Sequence, residues 1–168
     1  MVSYFLRTAR LGFRHWSESD FELVYALWSN AEVTRLIGGP FSRQWVEKRL
    51  AREMANQTAL GIQYWPIFLL ESNEHVGVCG LRPHLEDDVP ALGYHLLPQF
   101  WGRGLATEAS RAVIDYAFDT RHVRALFAGH HPDNVRSKRT LERLGFEYWR
   151  HDLYPPTGLQ HPGYLLTQ

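Results

Sequence analysis

From Leu96 to Thr107 an apolar run passes through Pro98, Gln99, Phe100 and Trp101 into two closely spaced glycines, Gly102 and Gly104, and then a helix-forming stretch. A turn of this kind exposes consecutive main-chain N–H groups. With no Cβ at either glycine an anion can approach the backbone, and the next helix adds unpaired first-turn donors and the positive end of its dipole. The chemistry read here is phosphate binding. Two glycines between a strand and a helix also make an ordinary tight connection, so the surrounding residues have to separate the readings.

Other reactive side chains are sparse. Cys79, the only cysteine, sits between Val78 and Gly80 and reads as an inward, inert strand thiol in a reducing compartment. His130 and His131 are adjacent, with no cysteine or carboxylate at ligand spacing, so no metal site is expected. Glu108, in a first helical turn, is explained by the helix dipole and is assigned no chemistry.

The elements that must hold these groups follow from periodicity. Arg10 to Arg14 reads as a strand, and Ser17 with Asp20 as a cap for a helix carrying Phe21, Val24, Leu27 and Trp28. Ser42 opens a second helix through Trp45, Val46, Leu50 and Met54. Tyr64 to Leu70 and His75 to Leu81 form a hairpin across Ser72, Asn73 and Glu74, and Leu92 to Leu97 is a third central strand. Leu105 to Phe118 has helical spacing, Val123 to Ala128 is a strand, and Asp133 can cap a helix that Gly145 ends. Phe146 to Trp149 and Tyr164 to Leu166 are two last strands, which completes one α+β (mixed α/β) domain over residues 1–168.

Composition narrows the partners. The 18 basic and 18 acidic residues cancel, which argues against a nucleic-acid-binding surface. No apolar run reaches the ~20 residues of a membrane helix and no signal-peptide core is present, so the expected location is the cytoplasm, with no membrane partner.

The run Trp101, Gly102, Arg103, Gly104, Leu105, Ala106, Thr107, Glu108, Ala109 resembles the cofactor motif of GNAT acyltransferases, in which Arg or Gln, two residues, Gly, one residue and Gly or Ala recur. Trp101 departs from the general pattern but matches the RimJ/RimL-like branch, where an aromatic is usual. The segment His130 to Ser137, followed by Leu141 to Phe146, resembles the second cofactor element of that branch. Thr8, Arg10, Leu11 and Arg14, and Gly77 with Cys79 to Pro83, are similar to its opening and central strands, so the likeness covers nearly the whole chain.

That resemblance implies a mostly antiparallel central sheet, splayed and flanked by helices, with acetyl-CoA in the splay. It implies pyrophosphate contacts at Trp101, Gly102, Arg103, Gly104, Leu105, Ala106 and Thr107. Backbone contacts to the pantetheine arm are implied at Tyr94, His95, Leu96 and Leu97, where an amide can also polarise the thioester carbonyl. Asn134 is expected to bond the pantetheine, and Ser137 to lie near the sulfur. The implied activity is transfer of an acetyl group to a primary amine, a protein N-terminus or a small molecule, by direct attack. A homodimer is a family expectation only.

Two catalytic positions depart from the family pattern. Leu141 stands where many members carry a tyrosine acid, which leaves Ser137 or water to protonate the thiolate, and Ala91 falls near a usual glutamate. The first candidate base is His130, a neutral imidazole able to accept the ammonium's proton directly or through water. His95 and the acidic run Glu86, Asp87, Asp88 are further candidates, and that run can also attract a cationic amine. Trp28, Trp45 and Trp65 are candidates to line an acceptor cleft. The departures leave a non-catalytic acyl-CoA sensor or scaffold as the alternative, and a nucleotide-phosphate binder as a third reading.

Overall fold

The computed structural model describes residues 2–86 and 88–168, the Glu86 side chain excepted. Asp87, in the middle of the acidic run, therefore lies outside the described residues. Eight strands form one sheet: β1 (Leu6–Arg7), β2 (Leu11–Phe13), β3 (Tyr64–Leu69), β4 (His75–Glu86), β5 (Val89–Leu96), β6 (Ala125–Gly129), β7 (Glu147–Tyr154) and β8 (Leu159–Thr167). Among the described residues five α-helices accompany them: α1 (Phe21–Trp28), α2 (Ala31–Thr34), α3 (Arg43–Leu60), α4 (Leu105–Asp115) and α5 (Val135–Arg143). Among the described residues no helix is long and apolar enough to cross a membrane.

Local chemistry sets the boundaries. The Asp20 carboxylate accepts the Ser17 N–H at 2.8 Å before α1, and Ser42 Oγ accepts the Trp45 N–H at 3.2 Å to start α3. Gly61, at φ +70°, ends α3, and Gly145, at φ +91°, follows α5. The cap of α5 is Asn134 rather than the expected Asp133: its Oδ1 accepts the Ser137 N–H at 3.1 Å.

The strand order is β1-β2-β3-β4-β5-β6-β8-β7. Neighbours are antiparallel except β5 and β6, which run parallel and pair in register at Ala91 and Phe127 alone among the described residues. Beyond Ala91, β5 continues to Leu96 paired with β4, while β6 pairs with β8. The sheet is therefore open between the C-terminal ends of β5 and β6, as the resemblance implied.

Alternation along the strands divides the core. Cys79, Leu81, Leu92 and Leu96 pack with Ala109 and Val113 of α4 and Leu141 of α5 on one face. Val78 and Tyr64 pack with Val24, Leu27 and Trp28 of α1 and Val46 and Leu50 of α3 on the other. Burial pushes the Cys79 thiol up to about 12, which leaves it protonated and inert, as expected.

The elements at the edges differ from expectation. β1 and α2 are additional, and β7 and β8 form a long hairpin, Glu147 opposite Leu165 through Tyr154 opposite Leu159, rather than two short strands. β7 is an edge strand exposed along most of its length and rich in charge, so it lacks the apolar alternation that reveals a half-buried strand.

Candidate active site

The glycine turn lies where the sheet opens, between the end of β5 and the start of α4. Gly102 and Gly104 both take left-handed backbone angles, φ +72° and +74°, which a side chain makes costly. Trp101 and Arg103 aside, no atom lies within 4 Å of where a Gly102 Cβ would stand, so no other part of the chain fills the turn there. As the N-cap of α4, Gly104 offers no capping side chain, and the helix's first backbone bond runs from Glu108 N–H to Gly104 O at 3.1 Å. The N–H groups of Leu105, Ala106 and Thr107 precede that bond and have no intrahelical acceptor. The arrangement presents a concave row of donors at a positive helix end.

Side chains from three elements brace the turn. Arg10 Nη1 donates to the Arg103 carbonyl at 3.0 Å, and Arg10 Nη2 pairs with Glu108 Oε2 at 2.6 Å. Thr8 Oγ1 donates to Glu108 Oε1 at 2.6 Å. Burial works to raise the Glu108 pKa, and the hydrogen bonds from Thr8 and Arg10 outweigh it and hold the carboxylate below its usual range. Glu108 is thus a buttress of the turn, a role the dipole explanation did not contain. Trp101 Nε1 donates to the Leu96 carbonyl at 2.8 Å, and Arg136 of α5 lies over the Trp101 ring at 5.5 Å.

The expected pantetheine contacts divide. The Leu97 N–H is bound to Val76 O at 2.9 Å, so that amide belongs to the sheet. Tyr94, expected to act through its backbone, reaches across the opening with its side chain and shares a 2.9 Å hydrogen bond with Ser137 Oγ in which either can donate. Burial pushes the Tyr94 phenol up to about 12, and its hydrogen bonds with Ser137 and Thr140 only partly offset this. Leu141, one turn beyond Ser137, is buried in the core. The structure thus brings a phenol to Ser137 from a strand instead of the helix.

His130 is committed on both ring nitrogens: Nδ1 bonds His131 O at 2.7 Å and Nε2 bonds Tyr164 Oη at 3.1 Å. Neither ring nitrogen is free in this arrangement, and Nε2 meets its surroundings through Tyr164. The ring borders a groove of about 640 Å³ between α5 and the β7–β8 hairpin, with Lys138, Glu142 and His151 in its lining. That groove lies beside the hairpin, apart from the glycine turn. Burial lowers the His130 pKa below its ordinary value, so the ring is neutral at pH 7.

His95 sits on the opposite face, where its Nδ1 accepts the Trp28 Nε1 hydrogen at 3.0 Å. Burial, with Arg49 and Arg82 nearby, pushes its pKa down to about 3, too weak for the base role considered for it. Trp28 and Trp45 share this face with Arg49, whereas Trp65 packs against Phe5 and Tyr116 in the other cluster and is no part of the cleft. Asp88 pairs with Arg124 at 3.1 Å at the β4–β5 turn.

The sequence model of the acetyltransferase (GNAT) domain matches residues 10–147. The chain belongs to the GNAT acetyltransferase family. Protein p20 of Bacillus licheniformis, described as an uncharacterized N-acetyltransferase, is 31% identical over 84% of this chain and 82% of its own length. The ribosomal protein uS5 alanine N-acetyltransferase of Escherichia coli strain K12 is 35% identical over 86 residues, 50% of this chain and 44% of that enzyme. The solved structure of RimL, a ribosomal-protein N-acetyltransferase in complex with coenzyme A, has a TM-score of 0.81. It covers 95% of both chains at 17% identity, a likeness of fold.

Proposed function

We propose that this GNAT acetyltransferase binds acetyl-CoA with its diphosphate on the N–H groups from Gly102 to Thr107 and moves the acetyl group to a primary amine. The observation that carries the reading is the open turn of two left-handed glycines leading into an uncapped helix beside the gap in the sheet. The pantetheine arm would then run along the free side of β5, at Tyr94 to Leu96, towards Asn134 and Ser137. The acceptor would enter from the α1/α3 face, a protein N-terminus being one class and a small-molecule amine the other.

In the reaction the amine nitrogen attacks the thioester carbon, the carbonyl oxygen takes up negative charge against main-chain donors, and the C–S bond breaks. The departing thiolate takes the Ser137 proton as Tyr94 passes its own to Ser137 Oγ, and solvent returns a proton to Tyr94, so neither hydroxyl is left ionised. With its pKa raised, Tyr94 stays protonated and donates to Ser137 Oγ, which frees the serine hydrogen to point at sulfur. The proton lost by the amine passes to His130 through Tyr164 or water. A hydroxyl pair beside the sulfur removes one ground for a non-catalytic acyl-CoA sensor, the missing tyrosine at Leu141.

The test is release of free thiol from acetyl-CoA across a panel of amines and N-terminal peptides. The reading expects acceptor-dependent release with at least one class. Binding of acetyl-CoA with no release across the whole panel would instead make the protein a sensor.

A further inference from the structure

The α1/α3 face of the sheet carries more positive charge than its own carboxylates neutralise. By strand alternation Val78, Gly80 and Arg82 of β4 share this face with Gly93 and His95 of β5, paired as Gly80 with Gly93 and Val78 with His95. Arg82 pairs in register with Ala91, the residue at which β5 and β6 begin to part. It therefore stands at the root of the opening, on the side away from α4.

The groups around it are fixed. A Cβ on Gly93 would fall 2.0 Å from the Tyr64 hydroxyl, so the glycine makes room for that phenol over β5. Arg49 stacks over Tyr64 at 5.2 Å and Trp28 at 4.7 Å. Glu53 is the carboxylate at hand, and it is already engaged: Oε1 takes Arg49 Nε at 2.6 Å and Oε2 takes the Tyr64 N–H at 2.7 Å. The positive charges of Arg49 and Arg82 both act on His95, and those of Arg49 and Arg82 on Arg52. Among the described residues, three guanidinium groups thus share one carboxylate that is already engaged.

Of the three, Arg82 is the one that the strand register places at the root of the opening. Its Nε is sealed from solvent and has no hydrogen-bond partner among the described residues, while the side chain as a whole keeps some exposure. Tyr154 hydrogen-bonds its guanidinium and Tyr64 lies beside it, both phenols uncharged at neutral pH, and the charge of Glu53 that holds Arg49 reaches it as well. A guanidinium held in a low dielectric with only a shared counter-charge is costly unless something else adds to it.

We propose that Arg82 is the specificity determinant of the acceptor subsite, and that it selects amines carrying an anionic oxygen group, a carboxylate or a phosphate. This deepens the acetyl-transfer reading and rests on it for the identity of the acceptor. An ammonium alone gains nothing from three nearby cations. An acceptor whose anion meets Arg82 cancels that charge and brings its amine up along β5 towards the opening.

The experiment is calorimetric titration of four amidated dipeptides into the free protein and into protein saturated with coenzyme A. The peptides are alanyl-aspartate, alanyl-asparagine, alanyl-phosphoserine and alanyl-serine, so each anion has a neutral partner and the carboxylate and phosphate arms are separate. At least one anionic member is expected to bind about tenfold or more tightly than its neutral partner. Arg82→Gln should bring that ratio close to one, and Arg82→Lys, which keeps the charge, should retain part of it. Equal affinities within each pair of the wild type, no binding of any of the four, or a preference that survives in a folded Arg82→Gln protein overturns the proposal. Thiol release from acetyl-CoA is measured separately, so a failure of acetyl transfer is distinguishable from a failure of anion selection.

Discussion

Ser137 and Tyr94 meet through one 2.9 Å hydrogen bond between a helix and a strand that lie on opposite sides of the sheet opening. If the pair protonates the thiolate, removing the hydroxyl nearest the sulfur should matter most. Ser137→Ala is expected to lower kcat about 100-fold, and Tyr94→Phe about tenfold, with the affinity for coenzyme A little changed in either. Steady-state kinetics beside calorimetry separates the two quantities, and unchanged kcat in both variants removes the acid from this pair. His130 makes a second prediction. Because burial lowers its pKa, the acid limb of kcat/KM should lie below pH 6.5, where the ring begins to charge and can no longer accept a proton. In His130→Ala that limb should disappear with a lower plateau, and a pH profile matching the wild type places the base elsewhere. The Tyr94 role was not legible beforehand, since a lone tyrosine in a strand looks like core and the partner lies 43 residues away.

The turn from Trp101 to Thr107 works as an element because two glycines set its shape and Arg10, Thr8 and Glu108 hold it against β2 and α4. A side chain at Gly102 meets no neighbour in the fold but carries strain of roughly 1–2 kcal/mol from its positive φ and stands where a phosphate would approach. Gly102→Val should therefore weaken coenzyme A at least tenfold while lowering the melting temperature by only about 2–8 °C, read by calorimetry and thermal melts. Affinity near that of the wild type would mean the cofactor does not lie on this turn. The element was readable in the sequence because glycine spacing has a backbone meaning that requires no tertiary knowledge. α1, α3, α4 and the β3–β4 hairpin were readable for a similar reason, their caps and periods being local. The extended β7–β8 hairpin was not, because the residues of β7 are held by cross-strand bonds at an edge rather than by burial, and the Arg10–Glu108 brace spans 98 residues.

At the scale of the whole molecule, several histidines are held neutral inside. Burial pushes His75 down to about 4 and His95 to about 3. Below pH 6.5 the unfolded chain takes up protons that these native rings refuse, so stability present at pH 7 is lost as the pH falls towards 4. Differential scanning calorimetry at constant ionic strength should show the melting temperature falling steadily across that range, and a His95→Gln variant should flatten part of the slope. A constant melting temperature from pH 7 to pH 4 would contradict the burial of both rings. The same architecture places α4 and α5 on one side of the opening and the aromatic, arginine-rich face on the other, so donor and acceptor can approach one gap from two directions. A crystal structure with coenzyme A tests this arrangement most directly. The account predicts the diphosphate on the amides of Gly102 to Thr107 and the thiol within reach of Ser137; a diphosphate bound elsewhere would contradict it.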